Sequence, residues 1–78
     1  MPVKIRFLGV LKKYQPGEGE YWVVSDAVGT KVSDLLNKVL AEEKMVGYIV
    51  IVGSVRKEKD YVLQEGDVVT LMPLITGG

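Results

Sequence analysis

The chain closes on Met72-Pro73-Leu74-Ile75-Thr76-Gly77-Gly78, directly after an apolar run, Val68-Val69-Thr70-Leu71. At an average glycine usage of roughly 7%, a chance terminal Gly pair is about a half-percent event. Glycine has no Cβ, so Gly77 and Gly78 form an end that bends freely and is thin enough to enter a narrow channel in a partner. The free carboxylate expected on Gly78 is then the one group the chain presents with no side chain in the way. The tail reads as a chemical handle, and the question for the preceding residues is what mounts it.

Composition removes most other chemistry. There is no Cys and no His among the 78 residues. That rules out thiol nucleophiles, Cys–His pairs, zinc sites and iron–sulfur clusters within this chain. The carboxylates are scattered rather than clustered as Mg²⁺ or Ca²⁺ would require. An autonomous enzyme does not fit this inventory, and no bound cofactor or metal is expected. Ten basic and ten acidic residues cancel, which argues against nucleic acid or an anionic membrane as the main partner. No apolar run approaches the roughly 18 residues of a membrane span. The start, Met1-Pro2-Val3-Lys4, lacks a signal-peptide pattern, so a cytoplasmic location is expected.

A chain of this size buries only about 60–65% of the surface its unfolded form exposes, so most of its 47% hydrophobic content must face inward. Val3-Lys4-Ile5-Arg6-Phe7-Leu8 alternates with a period of two, which predicts a strand burying Val3, Ile5 and Phe7. Leu8 is the exception, an apolar residue on the outward side. Gln15-Pro16-Gly17-Glu18-Gly19 is a turn region, and the aromatic and β-branched Glu20–Ser25 predicts a second strand that pairs back on the first. Tyr21 and Trp22 within it are read as hairpin or core packing. Thr30 stands as the expected helix N-cap. Val32, Leu35, Leu36, Val39 and Leu40 form one apolar stripe, with Asp34 in the first turn and Lys44 in the last, predicting a helix that ends near Glu43–Met45. It is the one helix expected.

Tyr48–Val52 is a β-branched run of strand length, Gly53-Ser54 a two-residue hairpin turn, and Val55–Lys57 a short return strand. Glu58-Lys59-Asp60 is a solvated loop, Tyr61–Leu63 pairs only briefly, and Gln64–Asp67 is a turn. In the last strand Thr70 is the one polar residue, so it is predicted to face water together with Met72, while Val69 and Leu71 face the core. One helix can cover only one face of such a sheet. The layout is α+β, a mixed sheet with one main helix on one face. The open face, with Leu8 and Met72 near the tail, is a candidate protein-docking surface.

Hairpin, capped helix, further strands, Gly-Asp turn and terminal Gly-Gly together resemble the ubiquitin-like β-grasp sulfur carriers of the MoaD/ThiS family. The resemblance covers essentially the whole chain as a single domain, 1–78, with a tail from about residue 75. Its most telling pieces are Val3–Leu11, Thr30–Leu36 and Glu65–Gly78. Pro73, five residues before the end, is more similar to the MoaD branch, the small subunit of molybdopterin synthase. The resemblance implies a carrier cycle. An E1-like adenylating enzyme uses ATP to adenylate the Gly78 carboxylate. A sulfur donor protein displaces AMP and leaves a thiocarboxylate. The molybdopterin synthase large subunit takes in the tail and passes the sulfur to a pterin precursor. Gly78 is then the reacting residue and Gly77 its flexible joint, with Leu8, Met72, Pro73, Leu74, Ile75 and Thr76 as partner contacts. Residues 75–78 reach about 13–14 Å when extended. Two other readings stand beside this one. A related carrier would serve thiamine or tRNA thiolation or act as a ubiquitin-like modifier. A β-grasp interaction module would carry no covalent chemistry at all.

Overall fold

The computed structural model describes residues 2–40 and 47–74. Its elements are β1 (Val3–Phe7), a 3₁₀ helix η1 (Gly9–Tyr14), β2 (Trp22–Val24), α1 (Val32–Val39), β3 (Tyr48–Val52), β4 (Val55–Lys57) and β5 (Val68–Pro73). The strands form one mixed sheet in the order β2-β1-β5-β3-β4. β5 lies in the middle, parallel to β1 with Phe7 opposite Leu71, and antiparallel to β3 with Val50 opposite Leu71.

Alternation along β1 buries Val3, Ile5 and Phe7, and along β5 it buries Val69 and Leu71. These side chains meet Val32, Leu35, Leu36 and Leu40 of the helix segment in one core, joined by Leu11, Ala27, Val50 and Leu63. Truncating a fully buried Leu such as Leu36 or Leu71 to Ala costs about 2–5 kcal/mol. Phe7 and Trp22 stack tilted with centroids 6.4 Å apart, so Trp22 belongs to the packing, as expected.

Thr30 is not the N-cap of α1. Lys31 holds that position and no side chain caps the helix. Backbone does the work instead, since Val32 N–H donates to the Tyr61 carbonyl and Ser33 N–H to the Lys59 carbonyl, both at 2.9 Å. With its first amides taken by the 59–61 loop, the helix has no need of a hydroxyl cap. The described helix ends at Val39, and the expected end near Glu43–Met45, with Lys44, lies outside the described residues. Residues 9–14, to which the sequence reading assigned no element, form a 3₁₀ helix that buries Leu11.

The second strand is also shorter than predicted, three residues instead of six. Its ladder with β1 stops at Ile5 opposite Trp22. Beyond that point a side chain replaces the strand. Phe7 N–H donates to Gln15 Oε1 at 3.0 Å, and Gln15 Nε2 donates to the Gly19 carbonyl at 2.8 Å. The Gln15 amide thus mimics a peptide unit of a longer β2 and ties the loop to the sheet.

Gln15→Ala leaves the partly buried Phe7 N–H without its acceptor. The expected loss is about 1–2 kcal/mol of unfolding free energy, read as a lower urea midpoint at unchanged m-value.

Candidate functional site

The site predicted from sequence is the end of β5 together with the C-terminal tail. Met72, placed in the last strand by sequence, and Pro73 are the last two residues of the central strand, paired with Ile49 and Tyr48 of β3. The ladder runs one bond further, from Leu74 N–H to the Gly47 carbonyl at 3.0 Å. The chain is therefore held through Leu74, and Ile75, Thr76, Gly77 and Gly78 lie outside the described residues.

Two glycines form the seat of this strand end. Gly9 adopts φ +58°, and a Cβ placed on it would stand 2.9 Å from Pro73 Cγ. A Cβ on Gly47 would stand 3.1 Å from Leu74 Cδ2 and 3.2 Å from Leu74 Cβ. Both positions let backbone approach a tail-root side chain more closely than any larger residue allows. Sequence reasoning gave Gly9 and Gly47 no role at the tail root. Their signal was placement, each directly flanking a strand, but the neighbour that needs the space is distant in sequence.

Around this seat lie the apolar residues predicted as contacts. Met72 is 39% exposed and Leu74 50% exposed, while Pro73 is half-buried against Gly9. Leu8 is half-buried, not the exposed residue expected. Its N–H donates to the Leu71 carbonyl at 2.9 Å, and the chain then turns at Gly9 into η1, which draws Leu8 toward the protein. Val10, passed over in the sequence, is the most exposed large apolar side chain among the described residues. It sits on η1, the element that packs against β5.

The sheet face away from α1 is uncovered by any described element. Thr70 and Met72 lie on it, as alternation predicted, with Thr70 half-buried. Register sets Ile51 beside Thr70 and Ile49 beside Met72, so an apolar strip extends from the tail root across β5 and β3.

Beside Tyr48 a groove of about 360 Å³ opens between Ile49, Arg56 and the 57–60 loop. Lys59 Nζ stands 4.6 Å from the Tyr48 ring centroid, and burial pushes the Tyr48 hydroxyl above its ordinary pKa. Among the described residues no three His, Cys, Asp or Glu side chains converge as a metal site would require, and no helix is long and apolar enough to cross a membrane. Tyr61 donates to Asp67 Oδ2 at 2.8 Å, and this bond to the carboxylate, then burial and the carboxylate charge, raise its pKa. The same carboxylate accepts Gln64 N–H and closes the turn before β5. These groups shape the mount of the last strand.

No protein-family model and no curated protein sequence matches the chain. Solved structures do. Urm1 from Trypanosoma brucei superposes with a TM-score of 0.71 at 20% identity, covering 99% of this chain and 95% of that one. The HVO 2177 protein of Haloferax volcanii gives 0.66 at 21% identity, covering 100% and 87%. A chain from the complex of subunits 1 and 2 of molybdopterin-converting factor from Helicobacter pylori gives 0.58 at 23% identity, covering both chains completely. The fold is the ubiquitin-like β-grasp, as expected from the sequence.

Gly9→Ala forces a Cβ into a left-handed backbone position and against Pro73. It is expected to cost about 1–2 kcal/mol of stability from the backbone alone. Gly17→Ala, also at positive φ but with nothing within 4 Å of the new Cβ, is the matched control for the backbone term. The excess loss at Gly9 in urea denaturation measures the tail-root contact.

Proposed function

We propose that this chain is a sulfur carrier acting as the small subunit of a molybdopterin synthase. The observation that carries the reading is the seating of the tail root. The central strand is held through Leu74 by Gly9 and Gly47 and leads directly into Ile75-Thr76-Gly77-Gly78. A fixed root lowers the ordering entropy of a short tail on binding, so a partner can draw the terminus into a buried site at less cost. The β-grasp likeness to a chain of the Helicobacter pylori molybdopterin-converting factor complex supports the same branch.

In this reading an E1-like adenylating enzyme brings ATP to the Gly78 carboxylate. A carboxylate oxygen attacks the α-phosphorus, pyrophosphate leaves, and the acyl-adenylate now carries AMP as a good leaving group. The outer sulfur of a persulfide on a sulfur donor protein attacks the same carbonyl carbon and AMP departs; a second thiol then attacks the donor sulfur of the resulting acyl disulfide, forms a disulfide with it, and leaves a thiocarboxylate on Gly78. A side chain at residue 78 would crowd the carbonyl that each group must approach, and Gly77 lets it turn. The synthase large subunit docks on Met72, Pro73 and Leu74 together with the half-buried Leu8, and takes in the remaining tail. This chain supplies the sulfur atom and its partners supply the catalysis, in the cytoplasm.

The likeness to Urm1, at 0.71 against 0.58, favours a second reading. There the same activated tail serves thiamine or tRNA thiolation, or is joined to lysines as a ubiquitin-like modifier. Co-purification with a large synthase subunit separates the molybdopterin branch from the other thiolation pathways, and mass spectrometry after incubation with an activating enzyme, ATP and a sulfur donor separates a carrier from a modifier. The carrier reading expects the C-terminal peptide to gain about 16 Da as sulfur replaces oxygen at the activated acyl group. An isopeptide-linked adduct supports the modifier instead. Removal of Gly77 and Gly78 must abolish either product, and a truncated chain that still supports its pathway rejects both.

Met72→Glu tests the docking surface separately. Met72 is already exposed, so thermal stability is expected within about 0.5 kcal/mol of the parent. Affinity for the large subunit should fall by about tenfold or more as a carboxylate enters an apolar contact. Equal affinity by calorimetry removes Met72 from the interface.

A further inference from the structure

We infer that the open sheet face receives an acidic surface of a partner protein, and that Arg6 is the residue that reads its charge. The inference rests on the docking role proposed for this face and adds the chemistry of what docks there.

The chain is neutral, but its charges are segregated. None of the five strands contains an Asp or a Glu. The strand cations that alternate away from the core are Lys4 and Arg6 on β1 and Arg56 on β4. Register aligns Arg6, Thr70, Ile51 and Arg56 in one row across the sheet. Carboxylates reach this face only from the loops around it, Glu20 at Arg6 and Glu58 and Asp60 in the groove beside Arg56, while Asp34 lies on the helix that covers the opposite face. The strands of the open face therefore carry only positive charge, and these cations are set among Val68, Ile51 and Met72. Isolated cations within apolar surface suit a protein partner, whereas nucleic acid rewards a continuous run of phosphate contacts.

Arg6 stands out among these cations. Its guanidinium lies 5.5 Å from the Tyr21 ring centroid, with Lys4 Nζ 5.9 Å from the same ring. Nη1 donates to Glu20 Oε1 at 3.2 Å, where Glu20 is 66% exposed. Arg6 Nε is withdrawn from water and has no hydrogen-bond partner. A desolvated donor left unpaired is unfavourable, and an exposed ion pair holds weakly. Glu20 thus keeps Arg6 oriented without satisfying it. A partner carboxylate that draws the guanidinium outward can take Nε and an adjacent nitrogen together, the bidentate geometry for which arginine is suited. Glu20 is then a competitor for the incoming acid and its stand-in in the free chain.

The test is titration of the ¹⁵N-labelled full chain with a short blocked peptide alternating glutamate and valine, with its lysine–valine counterpart, and with oligothymidylate. The acidic peptide is expected to shift the amides of Lys4, Arg6, Ile51 and Thr70, and to bind more tightly than the lysine peptide by about threefold or more at low salt, less so at high salt. Arg6→Gln should weaken it by about two- to fivefold, the worth of one exposed pair. Glu20→Gln should tighten it by a similar factor, while Asp34→Asn on the covered side leaves it unchanged. A merely structural Arg6–Glu20 pair predicts weakening in both variants, so that result overturns the inference. So does equal binding of the two peptides, or no binding of either, or tighter binding of oligothymidylate at the same amides. None of these readouts requires Gly78 to react. Failure to form a thiocarboxylate with acid selectivity intact rejects the carrier chemistry and leaves this inference standing.

Discussion

Everything in this fold depends on β5 lying between β1 and β3. The last strand is parallel to the first and antiparallel to the third, so without it the sheet separates into two hairpins that share no hydrogen bonds. Isolated hairpins are marginal in water. Pairing β1 with β5 also closes nearly the whole length of the chain, and a contact of that sequence separation forms only when its loop entropy is met by burial. Leu71 and Val69 supply that burial, facing Phe7, Ile5 and Val50 at the centre of the core.

The same constraint accounts for the tail root. A central strand is gripped on both sides, so its end is positioned by two neighbours where an edge strand has one. Gly9 follows β1 and Gly47 precedes β3, and each meets one of the last two held residues, Pro73 and Leu74. The seat is thus a consequence of strand order. In a sheet where the last strand lay at an edge, one of these glycines would have no tail-root side chain to accommodate.

That logic also marks what a sequence can and cannot disclose. Period-two alternation in Val3–Phe7 and Val69–Leu71 predicted the buried faces, and the limits of β3 and β4 agree with the structure because each is bounded by local turn chemistry at Gly53-Ser54. Met72 was legible for the same reason. Thr30 was misread because its competitor for the helix amides, the 59–61 backbone, arrives from thirty residues away, as the Val32 N–H to Tyr61 carbonyl bond records. Gln15 replacing a stretch of β2, η1 folding Leu8 inward, and Gly9 making room for Pro73 are likewise tertiary events with no periodicity to betray them. The sheet order itself, with first and last strands adjacent, is not encoded in any window of the chain. Residues 75–78, where the chemistry is proposed, lie beyond what the structure describes, so their role rests on residue type and on the geometry of their root.

One helix on a five-stranded sheet leaves a second face without a cover, and a small domain that exposes such a face must keep it soluble and unpaired. Here Lys4, Arg6 and Arg56 accomplish this by placing charge between the apolar side chains of neighbouring strands. Like-signed cations on the same face also repel a second copy approaching face to face, which disfavours self-association through Ile49, Ile51 and Met72. In the proposed docking, carboxylates on the partner offset those cations, so the charge that opposes face-to-face pairing of two copies is the charge the partner reads. Because Met72 belongs both to this face and to the strand that leads into Gly77-Gly78, docking there fixes the origin and direction of the tail in a single step.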